Sequence, residues 1–421
     1  MSIVVCFQHS PGRSRRPMSK PPSSRRAITA LCFVGLMVDA ISATILGTAL
    51  PFIGGEFQLT LAMMGALAGA WNLGYLFTVV GGSLSDRYGE VAVLTLSFVL
   101  LFVPIGLMAM ANNYLICYAL LIVAGVGGAF VEASVNPLLS NMYPEKRGMA
   151  LNILHVFWGI GAFIGPALAG LTISSLQNWR VVYSISAVLY IPLILVSIRL
   201  LKRNTVEPSG SRRRAINSTS FGFRVLKSRV LVLLTFAGFF YFGSELGVNA
   251  WLPSFLMMDK SFPLTLASFS TSLFWASMGF GRLIFAGVVD RVGYRKTMLT
   301  CSLFGALSIF LGTVLEHSAA IVVSWCIAGF SLAPILPTIL AWASSMFPRS
   351  AGVASGAIFS IGITGAVLSP WIVGVASERA SFQSGMVYLV FSTLVIAFCC
   401  IAIRERRGMS LENMSKPMPK D

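Results

Sequence analysis

The sequence predicts an all-α membrane protein of twelve transmembrane helices arranged as two six-helix halves. Three observations carry this. The chain of 421 residues is 56% hydrophobic and only 11% charged, whereas a soluble domain carries about 25% charged residues. Apolar runs recur along it at close to the ~20 residues needed to cross a bilayer. The longest polar stretch in the interior divides those runs six and six.

The first run, 27–52, follows a basic, Pro- and Ser-rich segment 1–26, expected to be a disordered cytoplasmic tail in which Met18 offers an alternative start. The run is too long for a signal-peptide core, and no cleavage site with a soluble domain follows it. Runs at 59–81, 91–110, 114–138, 149–173 and 181–200 complete an N-terminal half over 27–200. A cytoplasmic linker, 201–228, carries Pro208, Ser209 and Gly210 and the triplet Arg212, Arg213 and Arg214. Runs at 229–253, 264–286, 297–315, 320–343, 353–375 and 385–403 form the C-terminal half, 229–403, and 404–421 is a second cytoplasmic tail.

Lys and Arg set the orientation. With the N-terminus in the cytoplasm, 28 of the 31 basic residues fall inside and only Arg180, Lys260 and Arg379 fall outside. The net charge of +16 therefore reads as positive-inside bias and not as a nucleic-acid surface, because the basic residues stand between apolar runs. All seven cysteines except Cys6 lie within spans and none forms a CxxC pair, so they read as packing residues. The expected location is an inner or plasma membrane, with both termini cytoplasmic.

A repeat sits after the second span of each half. The first copy is Gly82-Ser-Leu-Ser-Asp86-Arg87-Tyr-Gly89; the second is Gly287-Val-Val-Asp290-Arg291-Val-Gly293-Tyr-Arg295-Lys296. Gly89 and Gly293 permit a tight turn with positive φ. Asp86 and Asp290 suit a neighbouring helix N-terminus, and Arg87 and Arg291 suit charge-assisted bonds to the opposing half. These turns resemble the G-x-L-x-D-R-x-G-R-R/K loop signature of the major facilitator superfamily. The first copy departs from it at Glu90, and the second has Ala286 where the leading glycine is usual. The resemblance implies that superfamily's fold, with a substrate site between halves related by an axis along the membrane normal, and gating roles for Gly82, Asp86, Arg87, Gly89, Asp290, Arg291, Gly293 and Arg295.

Of the fifteen acids, twelve fall in loops, ends or tails, and Asp39, Glu132 and Glu245 lie in spans 1, 4 and 7. No Lys or Arg is expected deep in a span beside them, and Glu245 is expected toward the outer end of its span. Acids inside a membrane are functional candidates by default; the bland alternative is a protonated carboxyl in a structural interhelical hydrogen bond. In the superfamily, spans 1, 4, 7 and 10 line the central cavity, so the resemblance puts all three acids there.

The segments around them narrow the resemblance. Span 4 reads Val131-Glu132-Ala-Ser-Val-Asn136-Pro137, and span 5 holds Asn152, His155, Trp158, Gly159, Gly161, Gly165 and Pro166. Span 7 reads Tyr241-Phe-Gly243-Ser-Glu245-Leu-Gly247-Val-Asn249-Ala-Trp251-Leu-Pro253, and Ala333, Pro334, Pro337 and Thr338 close span 10. Over roughly 27–403 these are similar to the fucose–galactose–proton symporter branch and related glucose and mannose transporters. That resemblance implies proton coupling and substrate recognition by Asp39 and Glu132. Where Trp158 stands, the fucose permease has a carboxamide, so its particular sugar is not carried over.

His155 either shuttles protons or bonds a substrate hydroxyl, or is a satisfied interhelical histidine. Asn136, Asn152 and Asn249 suit vicinal hydroxyls, or act as helix–helix glue. Trp158 and Trp251 suit stacking on a pyranose, or packing and interfacial anchoring. With Glu245 they complete the expected substrate site. The leading expectation is proton-coupled symport of a hexose-like sugar, with drug or organic-ion efflux and a solute-sensing receptor as alternatives. No nucleotide loop, HExxH, metal cluster or Ser/His/Asp grouping points to an enzyme or a cofactor; the partners expected are a sugar, the bilayer and, as a monomer, no second subunit.

Overall fold

The computed structural model describes residues 23–202 and 225–403. The expectations for the two tails and the linker therefore fall largely on residues 1–22, 203–224 and 404–421, outside the described residues. Twelve apolar helices follow one another: α1 (Arg25–Glu56), α2 (Leu61–Tyr88), α3 (Glu90–Met108), α4 (Tyr114–Met142), α5 (Pro144–Leu176) and α6 (Arg180–Lys202), then α7 (Arg229–Met258), α8 (Leu264–Val292), α9 (Tyr294–Val314), α10 (Ser318–Met346), α11 (Ala351–Arg379) and α12 (Phe382–Ala402). The shortest, α3, has 19 residues and rises about 28 Å, against a hydrocarbon core of about 30 Å. All twelve runs read from the sequence are helices. α2, α4, α5 and α8 outrun their runs at one end of the bundle, because intrahelical bonding continues past the lipid core.

Three helices are interrupted. A 3₁₀ turn, Tyr75–Phe77, breaks α2. α6 is broken at Leu189, between Val188 and Tyr190, where Pro192 has no N–H to offer the Val188 carbonyl one turn back. At Ala333–Pro334, α10 breaks for the same reason.

The repeated turns end α2 and α8. Gly89 has φ 91° and Gly293 has φ 87°, both in the region that glycine alone enters without strain. A Cβ at Gly82 would meet nothing, so no close approach demands glycine there. Glu90, the departure in the first copy, is buried and accepts from Asn141 Nδ2 at 3.5 Å, tying α3 to α4. In the second copy Arg295 donates to the carbonyls of Cys400 (3.1 Å) and Ile401 (3.2 Å). It thus caps the C-terminus of α12, within its own half and not across to the other.

Helices α1–α6 pack together, as do α7–α12, and the halves meet through α1–α7, α2–α11 and α5–α8. These contacts lie at the end of the bundle away from the repeated turns. Added carbons at Gly65 and Gly69 of α2 would collide with the backbone at Pro370 and Val367 of α11, one at Gly47 with Asn249, and one at Gly170 with Ser268. Glu378 of α11 accepts the backbone N–H of Ala62 at 3.1 Å, capping α2 across the seam. This end is sealed.

Candidate functional site

Between the halves lies a cavity of about 1550 Å³. Its wall runs from mid-helix residues such as Thr44 and Asn249 to Arg147, Val289 and Ser355, near the turn-bearing ends. The cavity is therefore reached from the end that carries the repeated turns and closed beneath the α2–α11 and α5–α8 seams.

Most of the wall is apolar, and a few polar side chains project from it. α4 contributes Glu132 and Asn136. Their spacing of four residues puts them one turn apart on one face, and Asn136 Nδ2 donates to the Glu132 backbone carbonyl (3.1 Å) and to its Oε2 (2.6 Å). The carboxylate is thereby oriented and keeps acceptor capacity toward the cavity. α5 contributes Asn152 and His155, both exposed to the cavity, and Trp158. The Trp158 ring meets Trp275 of α8 edge-on, with centroids 5.0 Å apart. Trp275 Nε1 in turn donates to Asn249 Oδ1 of α7 at 2.9 Å. This chain from α5 through α8 to α7 crosses from one half to the other.

Two expected site residues stand elsewhere. Asp39 is fully enclosed and does not reach the cavity wall. Its Oδ1 would lie 2.9 Å from a Cβ on Gly128, and the Tyr75 hydroxyl would lie 3.1 Å from the same atom. Glycine at 128 therefore makes room for both groups. Neither Asp39 oxygen has a hydrogen-bond partner of ordinary geometry, and the Tyr75 hydroxyl stands beside them over Gly128. Direct contact of Asp39 with a substrate is thus withdrawn for this conformation. Trp251 is also fully buried, with Nε1 donating to the Pro370 carbonyl at 2.8 Å and the ring edge-on to Phe382. It packs α7 against α11 and α12, so the stacking role expected of it is withdrawn too.

Glu245 is corrected in two respects. It lies midway along α7, and it has a cation: Arg282 of α8, Nη2 to Oε1 at 3.1 Å. The Arg282 side chain is 27% exposed and that of Glu245 6%, and both line the cavity, the cation as the more exposed member. Arg282 also approaches the Tyr241 hydroxyl and the Met278 sulfur, each at 3.5 Å. Its position six residues past Ala276 in an apolar run was the available signal, masked because it lies near the run's end and counts naturally with the cytoplasmic charges. Tyr75 and Trp275, also on the wall, carry no mark in sequence that sets them apart from packing aromatics.

The family model of the Major Facilitator Superfamily matches residues 32–286 and 261–417. The chain is 23% identical to the hexuronate transporter of Bacillus subtilis over 409 residues, covering 90% of this chain and 96% of that one. It is 23% identical to the glucose/mannose transporter of the same organism over 384 residues, covering 87% and 93%. A bacterial homologue of the human lysosomal transporter Spinster, solved inward-facing and unoccupied, superposes with a TM-score of 0.77 at 16% identity, covering 91% and 97%.

Proposed function

The chain belongs to the major facilitator superfamily and is a multi-pass membrane transporter; from that premise we propose that it carries a hydroxylated solute of hexose size by alternating access, driven by protons. The observation that carries this reading is the cavity between the halves, open at one end and sealed at the other, with polar groups from both halves in one apolar wall. Asn136, Asn152, His155 and Asn249 supply donors and acceptors of the kind that vicinal hydroxyls require, and Trp158 with Trp275 supplies an aromatic face. The glucose/mannose and hexuronate transporters among its relatives support a sugar-like cargo.

Proton coupling is assigned to Asp39 and Glu132. No cation bonds either acid among the described residues. A carboxyl enclosed without a cation crosses an occluded state far more readily as the neutral acid. Tyr75 lines the cavity and stands beside Asp39, which gives a proton a route from cavity water to the enclosed acid. The repeated turns would bias the gating equilibrium. The protein is read as a monomer with its termini in the cytoplasm, so the open end faces inward.

The test is uptake of labelled sugars into proteoliposomes under an imposed pH gradient. Accumulation that collapses when the gradient is dissipated is the expected result. Absence of uptake for every hydroxylated solute refutes the cargo, and accumulation that follows sodium and ignores pH refutes the coupling ion.

A further inference from the structure

The Glu245–Arg282 pair has no part in the coupling just described, yet it sits in the cavity wall, with Glu245 midway along α7. Its geometry is lopsided. A guanidinium has five N–H donors in a planar fork that matches both oxygens of a carboxylate. Here all recorded contacts of Arg282 use Nη2, and Nε is buried without a partner. Glu245 holds the group by one oxygen only. The cation is the more exposed member of the pair, so a solute entering the cavity meets the fork before it meets the acid. Arg147 is the other cation on the wall, and it belongs to the first turns of α5, at the cavity mouth.

The surroundings of Glu245 make an exchange local. Arg282 from α8 and Tyr241, one turn back on α7, are the ionisable groups that touch it. Of the other helices packed on α7, α10 and α12 carry no Asp, Glu, His, Lys or Arg, and α11 has only Glu378 and Arg379 at its sealed end. α1 contributes Asp39, enclosed against α4. Glu132, His155 and Arg147 line the cavity from α4 and α5.

We propose that Arg282 is a carboxylate-binding residue, and that the transported solute is a hydroxylated carboxylic acid of sugar size whose carboxylate replaces Glu245 on the guanidinium. This rests on the transport reading above and names the class of its cargo. One ion pair replaces another, and the displaced Glu245 takes one proton from cavity water, so the wall and bound solute together carry the same net charge as the empty wall. That proton is additional to the one assigned to Asp39 and Glu132. The hydroxyls of the solute then lie toward Asn136, Asn152 and His155 in the opposite half. A neutral hexose offers Arg282 hydroxyl acceptors but no charge that could replace the Glu245 carboxylate.

The test measures binding to the purified full chain by calorimetry and counterflow in proteoliposomes, with glucuronate and galacturonate against glucose and galactose. The acids are expected to bind and exchange in clear preference to the neutral sugars. Because their binding takes up a proton, apparent affinity rises as pH falls, by up to about tenfold per pH unit while Glu245 is ionised. Glu245→Gln removes the competing anion, so acid binding persists and that part of the pH dependence disappears. Arg282→Gln weakens acid binding by roughly 10- to 100-fold, the value of a charge-assisted bond. Since it strands a buried carboxylate, the neutral double variant Arg282→Gln/Glu245→Gln, checked for an unchanged melting temperature, must show the same loss. Transport of neutral sugars with the acids excluded overturns the inference and leaves the transport reading standing. Equal handling of both classes, with the double variant discriminating against neither, does the same. Acid binding whose pH dependence is no weaker in Glu245→Gln than in the wild type overturns the exchange. If neither class is bound or moved, the inference and the transport reading fall together.

Discussion

The seam between α2 and α11 gives the sharpest prediction about alternation. Gly65 and Gly69 lie one turn apart on α2 and rest against the α11 backbone at Pro370 and Val367. A methyl on Gly69 would sit 2.5 Å from the Val367 carbonyl oxygen and 3.3 Å from its Cα, where ordinary contact begins at 3.4 Å. The obstacle is backbone, so no rotamer relieves it; α2 and α11 must separate by several tenths of an ångström. Overpacking of this kind costs about 1–3 kcal/mol. The strain exists only while this end is sealed, because in the alternate state the two helices part. Gly69→Ala should therefore shift the equilibrium away from the sealed state by roughly 5- to 150-fold. Spin labels on Gln58 and Ala380, one in each half at this end, read the result by pulsed dipolar spectroscopy. The wild type should show a dominant short distance, and Gly69→Ala a population at longer distance. Gly74→Ala is the control. Its added carbon collides with Gly125 and Val126 of α4, inside one half, so it should lower the melting temperature and leave the distance alone. An unchanged distance distribution for Gly69→Ala in a folded protein refutes the view that this seam is the gate.

Three further outcomes are expected. Asp39→Asn or Glu132→Gln should abolish accumulation driven by a pH gradient while exchange at equal pH survives, since exchange needs no net proton movement; uphill uptake by both variants would remove these acids from the coupling. Asp86→Ala and Asp290→Ala, at the repeated turns, should slow turnover more than they weaken binding, as measured by single-turnover efflux beside equilibrium binding. Maleimide labelling of Gly210→Cys and Ser415→Cys should report the cytoplasm and Lys260→Cys the outside; an external signal at 210 would invert the orientation.

The spans were legible because hydrocarbon imposes one requirement on every helix, an uninterrupted apolar length, and that requirement is local in sequence. Glu132 and Asn136 were legible for a similar reason: four residues is one helical turn, and the pair bonds as the spacing implies. The facing of Asp39 was not legible. Which side of α1 meets the cavity depends on its neighbours, and the space that receives the Asp39 carboxylate is left by Gly128, a residue far away in sequence. Trp251 was lost in the same way, to the Pro370 carbonyl on α11, a partner remote in sequence. Arg282 was missed because positive-inside counting treats any cation near a run's end as a loop charge. The structure carries α8 on to Val292 and so places that cation within the wall.

The placement of Asp39 bears on how a proton would drive the seam. α2 is one helix in sequence but two in structure, joined by the 3₁₀ turn Tyr75–Phe77. The piece before the joint carries Gly65 and Gly69 and seals one end; the piece after it ends in the Asp86 turn at the other. Tyr75, at the joint, packs its hydroxyl over Gly128 beside Asp39. If Asp39 carries the coupling proton, as proposed, its charge changes beside the joint of the helix that must release one end as the other closes. The equivalent helix of the second half, α8, is unbroken from Leu264 to Val292 and has an ion pair where α2 has its joint region. Equal folds therefore hold unequal devices. The first half sets an enclosed acid beside a jointed helix, and the second sets an arginine of an unbroken helix in the cavity wall. On the proposals above, the acids assigned to coupling lie in the first half and the cation assigned to the solute's carboxylate lies in the second, so the two charges act from different halves on the same rearrangement.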